Sequence, residues 1–135
     1  VWNVSNVTDM HYMFSGNTSF NQDLNNWDVS SVEDMENLFN CTNFNKPLCN
    51  WKITNVKNME GMFLNATKFN CNINTWDVSR VSNMDAMFEG ASNFNRSLSK
   101  WNPSSVETIY YVFHKAYNFD LENNLNDAMK AKMIN

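Results

Sequence analysis

The tryptophans of this chain stand at Trp2, Trp27, Trp51, Trp76 and Trp101, in steps of 25, 24, 25 and 25 residues. A period of that length means that one structural unit is repeated, and that each unit buries its apolar residues against the next. Behind every Trp the same string recurs. From Trp27 it reads WDVSSVEDMENLFNCTNFNKPLCN, and from Trp76 it reads WDVSRVSNMDAMFEGASNFNRSLSK.

Apolar columns run through all copies. The first, two residues after Trp, is Val4, Val29, Ile53 and Val78, interrupted by Pro103. Next come Val7, Val32, Val56, Val81 and Val106, then Met10, Met35, Met59, Met84 and Ile109. A Met, Leu or Val follows, and directly after it Phe14, Phe39, Phe63, Phe88 and Phe113. A second aromatic column is Phe20, Phe44, Phe69, Phe94 and Phe119. The string Val-x-x-Met-x-x-Met-Phe puts apolar residues at i, i+3, i+6 and i+7, which predicts a short helix. Asn6, Ser31, Asn55 and Ser105 stand where its N-cap falls. The Trp-x-Val alternation predicts a very short strand, centred on Trp27, Trp51 and Trp76, pairing in parallel at about 5 Å per repeat. Phe39, Phe63 and Phe88 are then expected in line and fully buried.

The fold class expected is therefore an α/β solenoid of about five coils, with short parallel strands on one face and short helices on the other. The repeats divide as 2–26, 27–50, 51–75, 76–100 and 101–123, followed by a tail over 124–135. In the tail Leu125, Met129 and Met133 lie four apart. They predict a helix that caps the array, the alternative being a partner-binding helix. The fifth repeat, with Pro103 and the pair Tyr110 and Tyr111, is expected to be less regular. Asn21, Asn45, Asn70, Asn95 and then Asp120 hold one polar column, which is expected to bond the backbone of the neighbouring repeat. The residue missing from the second copy is placed between Phe39 and Cys41. That puts Cys41 in the small-residue column of Asn17, Ala66, Ala91 and Ala116, as a buried free thiol. Cys49 and Cys71 are offset by about 10 Å along the repeat, too far for a disulfide.

The columns Val-x-x-Met-x-x-Met-Phe-x-x-[Cys/Ala]-x-x-Phe-Asn, led by Trp-Asp-Val-Ser, resemble the mycoplasma-type surface lipoprotein repeat of about 25 residues, a domain of unknown function. That repeat is similar in turn to the BspA-like leucine-rich-repeat surface proteins. The resemblance covers Trp2 to about Phe119. It implies a leucine-rich-repeat-like fold, exposure at a cell surface or outside the cell, and adhesion or host-protein binding.

Chemistry is sparse. His11 and His114 are four repeats apart, about 20 Å at the strand spacing, and cannot share a metal. There is no Ser-His-Asp set, phosphate loop or zinc motif. We expect no catalytic residues, no metal, no cofactor and no enzyme. The net charge of −4 argues against nucleic acid. No apolar span or signal peptide is present, so direct membrane insertion is not expected, and the start at Val1 suggests a piece of a longer protein. Sequons occur at Asn3, Asn6, Asn17, Asn40, Asn65 and Asn95; they matter only in a eukaryotic secretory pathway. If Trp27 and Val29 face inward, the outward sheet face carries Asn26, Asp28, Asn50, Lys52, Thr75, Asp77 and Lys100. Those residues are the expected contact surface for a protein or glycan ligand, including a host-derived one. The alternative function is a structural spacer or assembly component of a surface layer or virion.

Overall fold

The computed structural model describes residues 2–134. The repeats lie one upon another, but each is built of turns. After the Val column, successive i→i+3 bonds form: the Met13 N–H donates to the Met10 carbonyl (3.2 Å), Ser15 to Tyr12 (3.1 Å) and Asn17 to Phe14 (3.0 Å). The intervening N–H groups leave the repeat altogether. Met10 donates to Asp34 (2.9 Å), Tyr12 to Glu36 (2.8 Å), Phe14 to Leu38 (3.1 Å) and Gly16 to Asn40 (2.7 Å). The same set recurs at each junction, ending with Met84 to Thr108, Ala86 to Tyr110, Phe88 to Val112 and Gly90 to His114. Isolated parallel bridges mark the register at Asp9–Asp34, Asp34–Asn58, Asn58–Asn83 and Asn83–Thr108.

This architecture overturns the expected α/β solenoid. Among the described residues there is no sheet, and helix is confined to α1 (Leu121–Asn124) and α2 (Asp127–Met133). Two of the assignments are in fact reversed. The segment read as helix carries the parallel bridges, and the Trp segment read as strand carries none. Trp27, Trp51 and Trp76 instead close turns onto Leu24, Leu48 and Ile73.

The reason lies in two backbone positions per repeat. Tyr12, Asn37, Gly61, Ala86 and Tyr111 have φ between 53 and 60°, and Gly16, Cys41, Asn65, Gly90 and Lys115 have φ between 56 and 73°. A left-handed residue every fourth position cannot lie in a right-handed helix. It turns the peptide so that alternate N–H groups face the neighbouring repeat. The chain's three glycines all fall in these two columns. At Gly61 and Gly90 an added Cβ would also run into the Oδ1 of Asn37 and Asn65 one repeat away, whereas Gly16 faces open space.

The interior is a ladder of aromatic rings. Phe39, Phe63 and Phe88 are fully buried, as expected, and stack with centroids 5.7 and 5.6 Å apart. Each also stacks on the second Phe of its own repeat, at 4.0 Å for Phe63 and Phe69. Trp51, Trp76 and Trp101 are buried, and their Nε1–H groups donate to the carbonyls of Leu24, Leu48 and Ile73 at 2.8 to 3.0 Å.

The second repeat corrects another expectation. Cys41 is exposed and sits in a left-handed column, while Thr42 is buried in the line of Ala66, Ala91 and Ala116. The missing residue therefore falls between Thr42 and Phe44. Elsewhere the second Phe closes a turn on the small residue's carbonyl; here the Phe44 N–H donates to Thr42 Oγ1 instead (3.3 Å). The fifth repeat keeps all four junction bonds to the fourth but lacks the turn bond that Val112 N–H would make to the Ile109 carbonyl, so it is less regular, as expected. It also loses burial, at Ile109 and Phe113.

The tail covers part of the last repeat. α1 is capped by Asp120 and α2 by Asn126, whose side chains accept from Asn123 and Met129 N–H. Leu125, in the link between them, and Met129 of α2 are buried, with Met133 packed beside them. Asn126 donates to the Ser99 and Trp101 carbonyls (2.9 and 2.8 Å), and Asn124 accepts from Leu98 N–H (2.8 Å). These contacts seat the tail on residues 98–101, at the start of the last repeat. Asn135, the end of the expected tail, lies outside the described residues.

Phe63→Ala is expected to cost about 3–5 kcal/mol, and Phe113→Ala less, because Phe113 has no repeat beyond it. Urea melts of the two variants measure the difference. Gly16→Ala should cost about 1–2 kcal/mol for its left-handed φ alone, and Gly61→Ala more, because the Asn37 amide must also move. Equal losses at the two glycines would show that the close approach at Gly61 is without consequence.

Candidate functional site

The residues expected to face outward do so, although no sheet carries them. Asn26, Asp28, Asn50, Lys52, Thr75, Asp77 and Lys100 are all exposed, on the turns that lead into and out of each Trp. Their backbone is tied to the neighbouring repeat. Asn50 N–H donates to Asn25 Oδ1 (2.9 Å), Lys100 N–H to Asn74 Oδ1 (3.0 Å) and Thr75 Oγ1 to the Cys49 carbonyl (3.3 Å). Asp28 Oδ1 accepts from Ser30 N–H and Oγ–H at 3.0 and 2.6 Å, and Asp77 Oδ1 accepts from Ser79 N–H at 3.0 Å. Asn3 and Asn102 make the same turn with Ser5 and Ser104. At Asn3, Asp28, Asp77 and Asn102 the column is thus made of side-chain-closed turns, which the residue pattern had not marked, whereas Lys52 closes none.

Those bonds set the electrostatics. The Ser30 hydroxyl and amide hold the Asp28 carboxyl below the usual carboxylate range, with Lys52 adding to the effect. Ser79, and then Arg80, do the same for Asp77. Both carboxylates are charged at neutral pH. Asp28, Lys52 and Asp77 present an alternating row of charge on consecutive repeats. A depression of about 460 Å³ beside it is lined by Trp2 and Trp27 together with Asn26 and Asp28.

A second cluster escaped the sequence reading. The side-chain donors of Asp9, His11 and Asp34 lie within 4.8 Å of one another. His11 Nδ1 is 2.6 Å from Asp9 Oδ1, and Asp9 and Asp34 also accept from the N–H groups of His11 and Glu36 (2.9 Å each). Among the described residues this is the donor set close enough to share a cation. Its third member arrives from the adjacent repeat, which the spacing of the two histidines could not reveal. The Asp-x-His pair followed one period later by Asp34 was the signal available. Farther along the same side, Glu36 is pushed up by burial and by Glu60 and Asp34.

The larger cavity, about 550 Å³, opens at the last repeat between residues 106–114 and the tail residues Leu121, Lys132 and Met133. Cys41, Cys49 and Cys71 are all free thiols. Among the described residues no helix is long and apolar enough to cross a membrane.

The family described as "Mycoplasma protein of unknown function, DUF285" matches residues 1–68 and 40–135. The chain belongs to this family. The two overlapping matches reflect the repetition, since each spans more than two of the 25-residue units that make up this DUF285 chain. No curated protein matches it, and no solved structure does.

The Asp9 hydrogen bond and charge raise the His11 pKa above the ordinary histidine value. The stabilisation that this pair contributes is therefore complete below the unfolded-state pKa and is lost as pH rises through the higher folded value. In a ¹³C-edited NMR titration, Asp9→Asn should bring the His11 midpoint down toward the ordinary value. An unchanged midpoint would remove Asp9 as the cause.

Proposed function

We propose that this chain is a non-catalytic, surface-exposed repeat module that binds protein or glycan, in the manner of an adhesin. The observation that carries this reading is the row of Asp28, Lys52 and Asp77, flanked by Asn26, Asn50, Thr75 and Lys100. It presents exposed polar and charged groups at repeat spacing on a backbone fixed from both sides. A ligand spanning several repeats meets a preorganised surface and loses little entropy in ordering it. The resemblance to surface lipoprotein repeats supports a location at the cell surface or outside the cell. The sparseness of convergent acid, base and nucleophile groups supports a binding role over an enzymatic one. The row lacks aromatic anchors except at Trp2 and Trp27, so affinity has to come from contacts along several repeats.

A second reading, a spacer or assembly component, is favoured by the continuous aromatic ladder, which makes the repeats into one stiff unit.

The two readings separate on a screen of the fragment against matrix proteins and glycans. With a ligand from that screen, Asp28→Asn, Lys52→Gln and Asp77→Asn combined should weaken binding in titration calorimetry. The melting transition should stay close to wild type, because an Asn can still close each turn. Each exposed charge contributes little by itself and is screened by salt, so the three are changed together. Unchanged affinity in the triple variant would move the contact surface away from this row, and a screen without any ligand would favour the spacer.

A further inference from the structure

Every junction in the molecule is closed by four N–H groups of one repeat donating to four carbonyls of the next, and by one bond in the reverse sense. In that bond Glu33, Lys57, Ser82 and Glu107 N–H donate to the Thr8, Glu33, Lys57 and Ser82 carbonyls, so that among the described residues the Glu107 carbonyl also stands open at the last repeat. At the fifth repeat the donors are present and the acceptors are not. Ile109, Tyr111, Phe113 and Lys115 occupy the places of Met84, Ala86, Phe88 and Gly90, and their N–H groups have no acceptor among the described residues. α1 and α2 leave this row open. Their bonds go to Leu98, Ser99, Trp101 and, through Lys132 Nζ, the Val106 carbonyl (2.9 Å). Ile109, Tyr111 and Phe113 line the cavity of about 550 Å³ that Leu121, Lys132 and Met133 also line, and Lys115 lies just beyond it.

The row is also electrically distinct. The carbonyl of Thr108 and the N–H of Ile109 belong to one peptide group, as do those of Asp34 and Met35, Asn58 and Met59, and Asn83 and Met84. Each of the four columns is thus an unbroken chain of hydrogen-bonded peptides with dipoles aligned from the first repeat to the last. Such chains polarise cooperatively and concentrate positive partial charge at the end where the N–H groups are free. Lys115 and Lys132 add to it, against the acids Glu107 and Asp85, the latter accepting from the Thr108 hydroxyl and Tyr110 N–H at 2.6 and 2.7 Å. What this end accepts is a set of oxygens. Four donors spread over seven residues are too far apart for one carboxylate or phosphate to satisfy. The internal junctions show what does satisfy them: alternate carbonyls of a single peptide segment.

We propose that the open edge of the last repeat is a docking site for a peptide segment of a partner protein. The segment adds as one more rung, with its alternate carbonyls accepting from Ile109, Tyr111, Phe113 and Lys115 and an apolar side chain entering the cavity against Leu121 and Met133. Edge addition of this kind draws affinity from main-chain bonds and selectivity from the side chain seated beside them. The site is separate from the row of Asp28, Lys52 and Asp77 and does not depend on that reading.

The probe is a synthetic peptide of this chain's own residues 31–45, the stretch that supplies the four carbonyls to the first repeat. It is titrated into the ¹⁵N-labelled chain. The amide resonances of Ile109, Tyr111, Phe113 and Lys115 should move downfield together, saturate, and gain protection from exchange. Replacing Tyr111 by its α-hydroxy acid turns that N–H into an ester oxygen and keeps the side chain. Peptide affinity should fall on the order of two- to tenfold, the loss expected for one hydrogen bond, while the melting transition falls only slightly, because the Tyr110 carbonyl that accepts from Ala86 N–H becomes the weaker acceptor of an ester. The variant neutralised at Asp28, Lys52 and Asp77 should bind the peptide as wild type does. Four unmoved amides, or an ester variant that binds equally well, would overturn the proposal. So would acetate moving the same amides as far as the peptide does, which would make the edge a simple anion site. Shifts that follow protein concentration without peptide would also overturn it, by making a second copy the occupant.

Discussion

The direction of the backbone N–H groups governs this structure. In an α-helix they point along the element that owns them, and in a sheet they alternate sides. Here, from Met10, Met35, Met59 and Met84 onward, alternate N–H groups point toward the next repeat, and the carbonyls between them toward the previous one. That arrangement requires a left-handed residue at two fixed places in every repeat. It also brings like residues into register, so Phe lies over Phe and the bridging residues Asp9, Asp34, Asn58, Asn83 and Thr108 form one line. The aromatic stacking fills the interior, but the register is one that the backbone bonds already specify.

Asparagine is the adapter that makes a turn-built backbone tolerable. It makes up about a fifth of the chain, and its side chains do repeated jobs. Asn21, Asn45, Asn70 and Asn95 each accept the N–H of the next member of their column, at 2.9 to 3.1 Å, as the column predicted. Asn25 and Asn74 accept from Asn50 and Lys100. Asn58 and Asn83 close local turns. Burying so much irregular backbone without such partners would leave N–H groups unsatisfied, at a cost of about 1–3 kcal/mol for each. With the turns closed internally, the outer side chains are free to be charged.

The stack has a polarity that its surface charges do not show. At the last repeat the N–H groups of Ile109, Tyr111, Phe113 and Lys115 have no acceptor among the described residues, and the tail bonds elsewhere. The lateral row at Asp28, Lys52 and Asp77 and the donor row at the last repeat are therefore surfaces of different kinds. In the function proposed for it the first would be read by charge and be sensitive to salt. In the docking proposed for it the second would be read by main-chain hydrogen bonds.

The sequence by itself determined the period, the columns that go inside and the Asn column that ties repeats together. Each of these depends only on which residue recurs where. It also marked the inward side of the tail, through Leu125, Met129 and Met133. It did not distinguish helix from turns. Apolar residues at i, i+3, i+6 and i+7 line one side of a helix, and they line one side of a run of i→i+3 turns equally well. Gly61 in one column and Gly16 and Gly90 in the other were the visible hint, but Tyr12, Ala86, Tyr111 and Lys115 hold the same left-handed conformation without a residue type that announces it. Cys41 and Thr42 were interchangeable on spacing, until the Thr42 hydroxyl took over the turn that the deletion removed. Asp34 joined Asp9 and His11 only because stacking brought residues one period apart side by side. Tertiary structure decided all of these, because the choice between bonding within a repeat and bonding to the next one is made by the neighbour, and no single repeat contains it.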